Sequence, residues 1–566
     1  MFENDAVHAQ YAVGIDYGSL SGRAVIANIS NGDIIGEGVY KYPSAVMDET
    51  LSTPSTPVPL PPSWALQDPD DYIGVLKHAV PEAIKQSGVN PSDICGIGID
   101  FTASTVLPVY QDGTPLCRDP QFRDRPHAWV KLWKHHAAQT HANRITELAV
   151  QRGETWLARY GGKISSEWQF AKALEIFEDD REIYDAMDVW IEAADWLVWQ
   201  LCGNYTRNTC TAGYKGIFQD GSYPSKDFLE ELSPGFGSFV SEKLEHTLSP
   251  LGSLAGHLTA EASSWTGLNE GIAVSVGNID AHVTAPAANA VEPGNMVAIM
   301  GTSTCLVMSS KSLEEVPGMC GVVDGGIIDG QYGYEAGQSG VGDIFAWFID
   351  NCVPLEYHEE AKEQNVSIFE LLAKKAADAP VGASGLVALD WHSGNRSTLV
   401  DHKLSSVIVG LSLQTRPEEI YRALIEATAF GAKTIVDTFV HSGVAVNEFI
   451  AAGGLIKDPF LMQIYADILN MPISTIATSQ GPALGSAIHA AVAAGKFHTV
   501  TDAAKKMGKR NYEQFIPNPQ NTDTYQKLYE IYTRLKDFFG VNNPDLMHTL
   551  KDIQEEQHEI ETKNAN

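Results

Sequence analysis

The sequence predicts an α/β protein of two related lobes with a cleft between them. Three observations carry this. A glycine hairpin occurs twice, as YAVGIDYGSLSGRAVIANI (11–29) and MVAIMGTSTCLVM (296–308). Each is an apolar β-type run, a Gly/Ser/Thr turn and a second apolar run. Between them GIAVSVGNIDAHVTA (271–285) reads as a buried strand that ends in an acid, Asp280. A chain of 566 residues is also too long for one core, which gives two large domains.

Turns of this composition leave backbone N–H groups clear of bulky side chains, a setting that suits a nucleotide phosphate. Gly18 and Ser19 mark the first hairpin, and Gly301, Thr302 and Ser303 the second. Two phosphate-binding hairpins and one strand-end carboxylate describe a phosphotransferase whose lobes close over ATP and an acceptor. No G-x-x-x-x-G-K-[ST] occurs, which disfavours a P-loop mechanism.

Composition narrows the partners. Apolar content is 44% and charged content 19%, ordinary for a folded globular protein. The net charge of −32 argues against nucleic acid and against an anionic membrane. It does not exclude ATP, since a pocket can be locally favourable within an acidic surface, and it is compatible with a homodimer. Seven cysteines without a C-x-x-C pair fit a reducing compartment. The N-terminus has no basic and apolar signal pattern, and no run of 18 apolar residues occurs, so a cytoplasmic location is expected.

Along the chain, the first ~10 residues read as a tail, followed by a hairpin with turns at 18–22 and 31–32. STPSTPVPLPP (52–62) carries five prolines and reads as an exposed loop. Asp68 and Pro69 form a capped helix start, and the helix over 70–88 is expected to kink at Pro81. Residues 95–116 read as strand, turn and strand, with Asp112-Gly113 as a hairpin signal. The small-residue stretch 283–295 ends in Pro-Gly and places the lobe boundary. Beyond it, 417–443 is a helix with Ile420, Leu424, Ala427, Gly431 and Ile435 on one face. Residues 449–469 are strand, glycine turn and helix; 481–495 is a helix of small residues suited to close packing. One amphipathic helix, 525–539, precedes a charged tail expected to fray.

Each candidate site residue also has a plainer reading. Asp16 either holds magnesium near the phosphates or is the solvated acid of a capped turn. Gly453 and Gly454 either admit a flat or anionic group before a helix N-terminus or are a tight strand-to-helix turn. Asp280 is placed to accept a proton from a substrate hydroxyl. His282 would share its side of a continuing strand, and reads as a satisfied structural histidine. Lys215 and Glu335, in small-residue settings, either grip a polyol or are surface charges.

These motifs, in this order, resemble the FGGY carbohydrate kinases over roughly residues 11–500. The matching pieces are GIDYGSLSGRA, MGTSTC, GNIDAH, GLSLQTRPEEIYRALIEATAFGA and AAGGLIKDPFLMQIYADIL. The resemblance implies two ribonuclease-H-like (actin-type ATPase) lobes with a central cleft. These are a sugar-binding lobe at 11–288, an ATP-binding lobe at 294–500, and a C-terminal helix and charged tail at 501–566. The family pattern has a lysine before an apolar-x-Trp stretch, whereas SSEWQFAKALEI has its tryptophan before its lysine. That departure, with GIDFTASTVLPV (98–109), KLWKHHAA (131–138) and CTAGYKGIF (210–218), is similar to the branch that phosphorylates ribulose. The implied roles are Asp280 as base, and Ala103, Lys215, Asp280 and Glu335 around a ketopentose. Asp16 would organise Mg2+, Thr302 the γ-phosphate, and Gly453, Gly454 and Lys457 the adenosine. The implied reaction is ATP-dependent phosphorylation of L-ribulose at its 5-hydroxyl, in L-arabinose catabolism. Open beside it are another ketopentose or pentitol (D-ribulose, xylulose, ribitol) and a non-catalytic sugar or nucleotide sensor.

Overall fold

The computed structural model describes residues 10–51 and 57–565, the side chains of 555 and 558–565 excepted. The expected N-terminal tail and the first residues of the proline-rich loop lie outside the described residues.

The first sheet begins as an antiparallel meander of β1 (Tyr11–Tyr17), β2 (Ser21–Asn28) and β3 (Ile34–Lys41). Its other half is β4 (Ile94–Phe101), parallel to β1, then β5 (Leu254–His257), β6 (Ala273–Ser275) and β7 (Asn278–Ile279). The order is β5-β6-β4-β1-β2-β3, with β7 paired to β4. The second sheet holds β8 (Asn295–Met300), β9 (Thr304–Ser310), β10 (Gly321–Asp324) and β11 (Tyr332–Gln338). It continues with β12 (Glu448–Ala452), β13 (Ile473–Ile476) and β14 (Arg510–Phe515), in the order β10-β11-β9-β8-β12-β13-β14. In each sheet a central strand, β1 or β8, turns back through its hairpin on one side and runs parallel to β4 or β12 on the other. The duplication seen as pattern is therefore one of topology, and it sets both glycine hairpins at the same end of equivalent strands.

The helices follow the sequence signals closely. α1 (Pro69–Ser87) starts where Asp68 accepts from the Asp70 N–H, and continues as one helix past Pro81. α2 (Gln169–Asp179) and α3 (Thr209–Gly216) belong to the first lobe, and α4 (Asp280–Ala287) leads out of it. In the second lobe α5 (Pro417–His441) buries Leu424, Ala427, Gly431 and Ile435, with Ile420 half-buried beside them. α6 (Pro459–Leu469) and α7 (Gly481–Ala493) complete the expected pattern. Part of the proline-rich stretch forms a short ladder, Val58 and Pro59 pairing with Leu51 and Thr50.

Two expectations are corrected. Residues 501–566 are more than a helix and a tail. β14 covers the open edge of β13. α8 (Pro519–Asp537) then sends Tyr525 and Tyr532 into the second core, and α9 (Asp545–Ala565) adds Met547. The apolar spacing of this region serves an existing core, so the lobe extends past residue 500. The strand before Asp280 also stops there: β7 has two residues, and Asp280 opens α4. His282 is therefore placed by a helix and not by a continuing strand.

Candidate active site

Asp16 is the penultimate residue of β1, in register with Asp100 on β4 across the parallel pair. Both strands end here, so the two carboxyls meet at the floor between the lobes. Burial raises Asp16 against the pull of Arg23. Asp100 is fully buried, and burial and then the charge of Asp16 push it well above the usual carboxylate range. Its Oδ2 accepts from the Ser486 hydroxyl on α7 at 2.6 Å, while its Oδ1 has no donor. The two carboxyls lie side by side at the ends of the paired strands, close enough for the charge of one to raise the other, with space for a cation beside both. The donor set, hard oxygens at the phosphate end of the sheet, fits Mg2+.

Asp280 accepts from the Ala281 N–H at 2.7 Å and remains half-open to the cleft. Protein encloses the rest of it. Burial, then the neighbouring Asp16 charge, lifts its carboxyl to about 7. That is a value poised to accept a proton near neutral pH.

Lys215 on α3 and Glu335 on β11 come from different lobes and meet as an ion pair, Nζ 3.0 and 3.2 Å from the carboxylate oxygens. Arg396 donates to the other side of Glu335 at 2.7 Å, and His282 Nε2 lies 3.3 Å away. Burial alone would raise Glu335, but Lys215, His282 and Arg396 outweigh it and hold the acid well below the carboxylate range. His282 is itself buried against the Tyr214 ring, and burial pushes it below the ordinary imidazole range. Ala103 and Ala281 pack against one small apolar cluster of Cys210, Tyr214, Leu251, Ile279 and Val323, which joins the loop of Ala103 to the elements that carry Lys215 and Asp280.

The hairpins offer their tips and not their glycine amides. The Gly18 N–H bonds to Ser21 O at 3.0 Å and the Gly301 N–H to Ser303 O at 2.9 Å. Ser19 and Thr302 lie beyond these closures; Thr302 is exposed, and the Ser19 hydroxyl accepts from Trp133 Nε1 at 3.0 Å. Gly453 follows β12 with φ +90°, and a Cβ there would lie 2.4 Å from Met300 O, so glycine is required. This approach sets the 453–457 turn against the second hairpin. Gly454 and Lys457 are exposed, and a Cβ on Gly454 meets nothing. One expectation fails here. The helix after the turn begins only at Pro459, and Asp458 caps its first amides, so its N-terminus is not free for an anion.

The site thus brings together Asp16, Asp280, Ala103, Lys215 and Glu335, with the second hairpin and the 453–457 turn side by side. Sequence reasoning missed Asp100, Ser486 and Arg396. For Asp100 a signal existed: GID followed by an aromatic residue occurs at 14–17 and again at 98–101. Ser486 and Arg396 carry no local signal.

Residues 11–286 match the N-terminal domain, and residues 296–494 the C-terminal domain, of the FGGY family of carbohydrate kinases. A ribulokinase of Mycolicibacterium smegmatis is 57% identical, covering 98% of each chain. A ribulokinase of Anoxybacillus flavithermus is 51% identical, over 96% of this chain and 97% of that one. In fold, the xylulose kinase of Rhodospirillum rubrum superposes with a TM-score of 0.77 at 22% identity, covering 95% of this chain and all of the other. The gluconate kinase of Lactobacillus acidophilus does so with 0.77 at 17% identity, covering 95% of this chain and 99% of that one. With this two-lobed actin-type fold and both domains matched, the chain belongs to the FGGY family and is a carbohydrate kinase.

Proposed function

We propose that the chain transfers the γ-phosphoryl group of ATP to the 5-hydroxyl of L-ribulose, giving L-ribulose 5-phosphate and ADP, as a step of L-arabinose catabolism. The observation that carries this reading is Asp280, an acid held at about 7 beside the Lys215–Glu335 pair. The ribulokinases at 57% and 51% identity support ribulose as the acceptor.

Phosphoryl transfer asks the protein for alignment and charge compensation and for little covalent chemistry. Asp280 accepts the proton of the attacking hydroxyl, a contribution of ~10²–10⁴-fold. Lys215 donates to sugar hydroxyls and Glu335 accepts from them, while Ala103 closes the apolar side of the acceptor. Ser19, Thr302 and Ser303 present hydroxyls and tip amides to the phosphates. Gly453 and Gly454 leave room for the adenosine, with Lys457 at its border. Asp16 and Asp100 would hold Mg2+, which would supply charge compensation at the phosphates.

Steady-state ADP release over a panel of L-ribulose, D-ribulose, xylulose and ribitol tests the proposal. The highest kcat/KM is expected for L-ribulose. A higher value for another polyol replaces the acceptor, and silence over the whole panel overturns the ketopentose site.

A further inference from the structure

The acceptor-side loop, residues 102–105, is short and strained. Ser104 has φ +58°, a left-handed backbone on a residue that is not glycine. It is buried, and its hydroxyl has no partner. The loop is closed by the Thr102 and Thr105 hydroxyls at 2.8 Å. It is tied at its ends by the Thr102 N–H to Tyr17 O and by the Ala193 N–H to Thr105 O. Neither tie reaches its strained centre.

Lys172 supplies that tie. It sits on α2 with no exposure to solvent, and its Nζ donates to Ser104 O at 2.7 Å and to Leu132 O at 2.8 Å. Both acceptors are backbone carbonyls. Burial pulls the Lys172 amine down to about 7, and a buried amine hydrogen-bonded to two carbonyls is an expensive way to build a core. Leucine or methionine would fill the same space, so the amine is explained better by what it grips.

We infer that Lys172 is a positioning residue: it clamps the Ser104 carbonyl and thereby sets Ala103 against the acceptor sugar. Lys172 touches neither substrate nor the reacting atoms. It holds the left-handed turn next to Ala103, which packs against the apolar cluster containing Tyr214 and Ile279. It also locks that loop to Leu132, in the segment that supplies Trp133 to Ser19. The displaced lysine of SSEWQFAKALEI is in this view the link between α2 and the sugar. The inference rests on the acceptor lying at Ala103, as proposed above.

The test compares Lys172→Met with the full-length wild-type enzyme. Wild-type turnover of L-ribulose is measured first, and its absence would count against the acceptor assignment and not against Lys172. The substitution is expected to raise the L-ribulose KM by ~10-fold, the scale of one lost charge-assisted hydrogen bond, with the ATP KM within ~2-fold. A merely structural lysine would lower the melting temperature and leave both KM values alone, and that outcome overturns the inference. Equal rises in both KM values overturn it too. If Lys172→Met does not fold, Lys172→Met with Ser104→Gly is used. Glycine adopts the left-handed turn without strain, so the loop forms but is no longer held. A high ribulose KM in that double variant supports the clamp, and a wild-type KM refutes it.

Discussion

Asp280 is pulled two ways, and the conflict is measurable. The proposed role as base needs its carboxylate, while burial and Asp16 favour its acid. Asp280→Asn removes the proton acceptor with little change in shape, so kcat is expected to fall at least ~10²-fold with sugar binding retained. A variant that kept a tenth of the wild-type kcat would remove Asp280 from the role of base. In the wild type, kcat/KM should fall on the acid side of a pKa at about 7. The sign for stability is opposite. A carboxyl whose folded pKa is raised binds more protons in the folded state, so stability falls as pH rises from the ordinary carboxylate range through the raised value. The asparagine variant escapes this loss. Its melting temperature relative to wild type should rise between about pH 5 and about pH 8, and a flat difference would show that the acid is not buried in solution. Asp100 calls for a different measurement. With Mn2+ in place of Mg2+, paramagnetic resonance reads metal affinity in the ATP complex without turnover. Asp100→Asn should weaken it by ~10-fold or more, while the affinity for metal-free ATP stays the same. Unchanged Mn2+ affinity would leave Asp16 to hold the cation alone.

Elements were legible wherever one local rule decided them. Asp68-Pro69 starts a helix because the cap and the fixed proline φ are both local. The two hairpins are visible because apolar runs flank a small-residue turn on both sides. The 453–457 turn was read correctly as strand, turn and helix, but the capping of the helix behind it was not. Asp458 intervenes, and a capping acid serves the same amides that an anion would need. The carboxyl pair at the sheet floor was legible by half, because Asp16 was read from its own turn and its partner from another strand was not. This geometry separates two glycines that the sequence treats alike. Gly454→Val should fold normally, since a Cβ there meets open space, and should weaken ATP binding by intruding on the adenosine. Gly453→Val should additionally destabilise the protein by ~1–3 kcal/mol for a strained φ, because its Cβ runs into Met300 O. Titration calorimetry with ATP and with ribulose separately, on protein shown to be folded, distinguishes them. Unchanged ATP affinity in the Gly454 variant would take the turn out of the nucleotide site.

At the scale of the whole molecule, the contiguous lobes expected from sequence are interleaved through α7. This helix follows β13 of the second sheet, yet it lies on β1 and β4 of the first. A Cβ on Gly14 would meet Ala483 O at 1.8 Å, and one on Gly98 would meet Ser486 O at 2.3 Å. It crosses α4 equally closely, a Cβ on Gly485 falling 2.0 Å from Val283 O. No single-segment pattern could reveal this, because the small residues that permit it lie hundreds of positions apart and each looks locally neutral. The consequence is that residues 11–288 cannot cover their own sheet. A chain ended after residue 479 should yield no soluble first lobe, and the full chain should melt in one calorimetric transition. Gly485→Ala offers the finer test. It forces α7 off α4 at a cost of ~1–3 kcal/mol, and it shifts the neighbouring Ser486, which holds Asp100 from the opposite side of the cleft floor. Both the melting temperature and the Mn2+ affinity of the ATP complex should then fall, while the ribulose KM, which the proposal assigns to Lys215, Glu335 and the 102–105 loop, should move less. A soluble, folded 1–479 fragment, or a Gly485→Ala enzyme with full metal affinity, would mean that the α4–α7 crossing does not link the carboxylates to the packing of the two lobes.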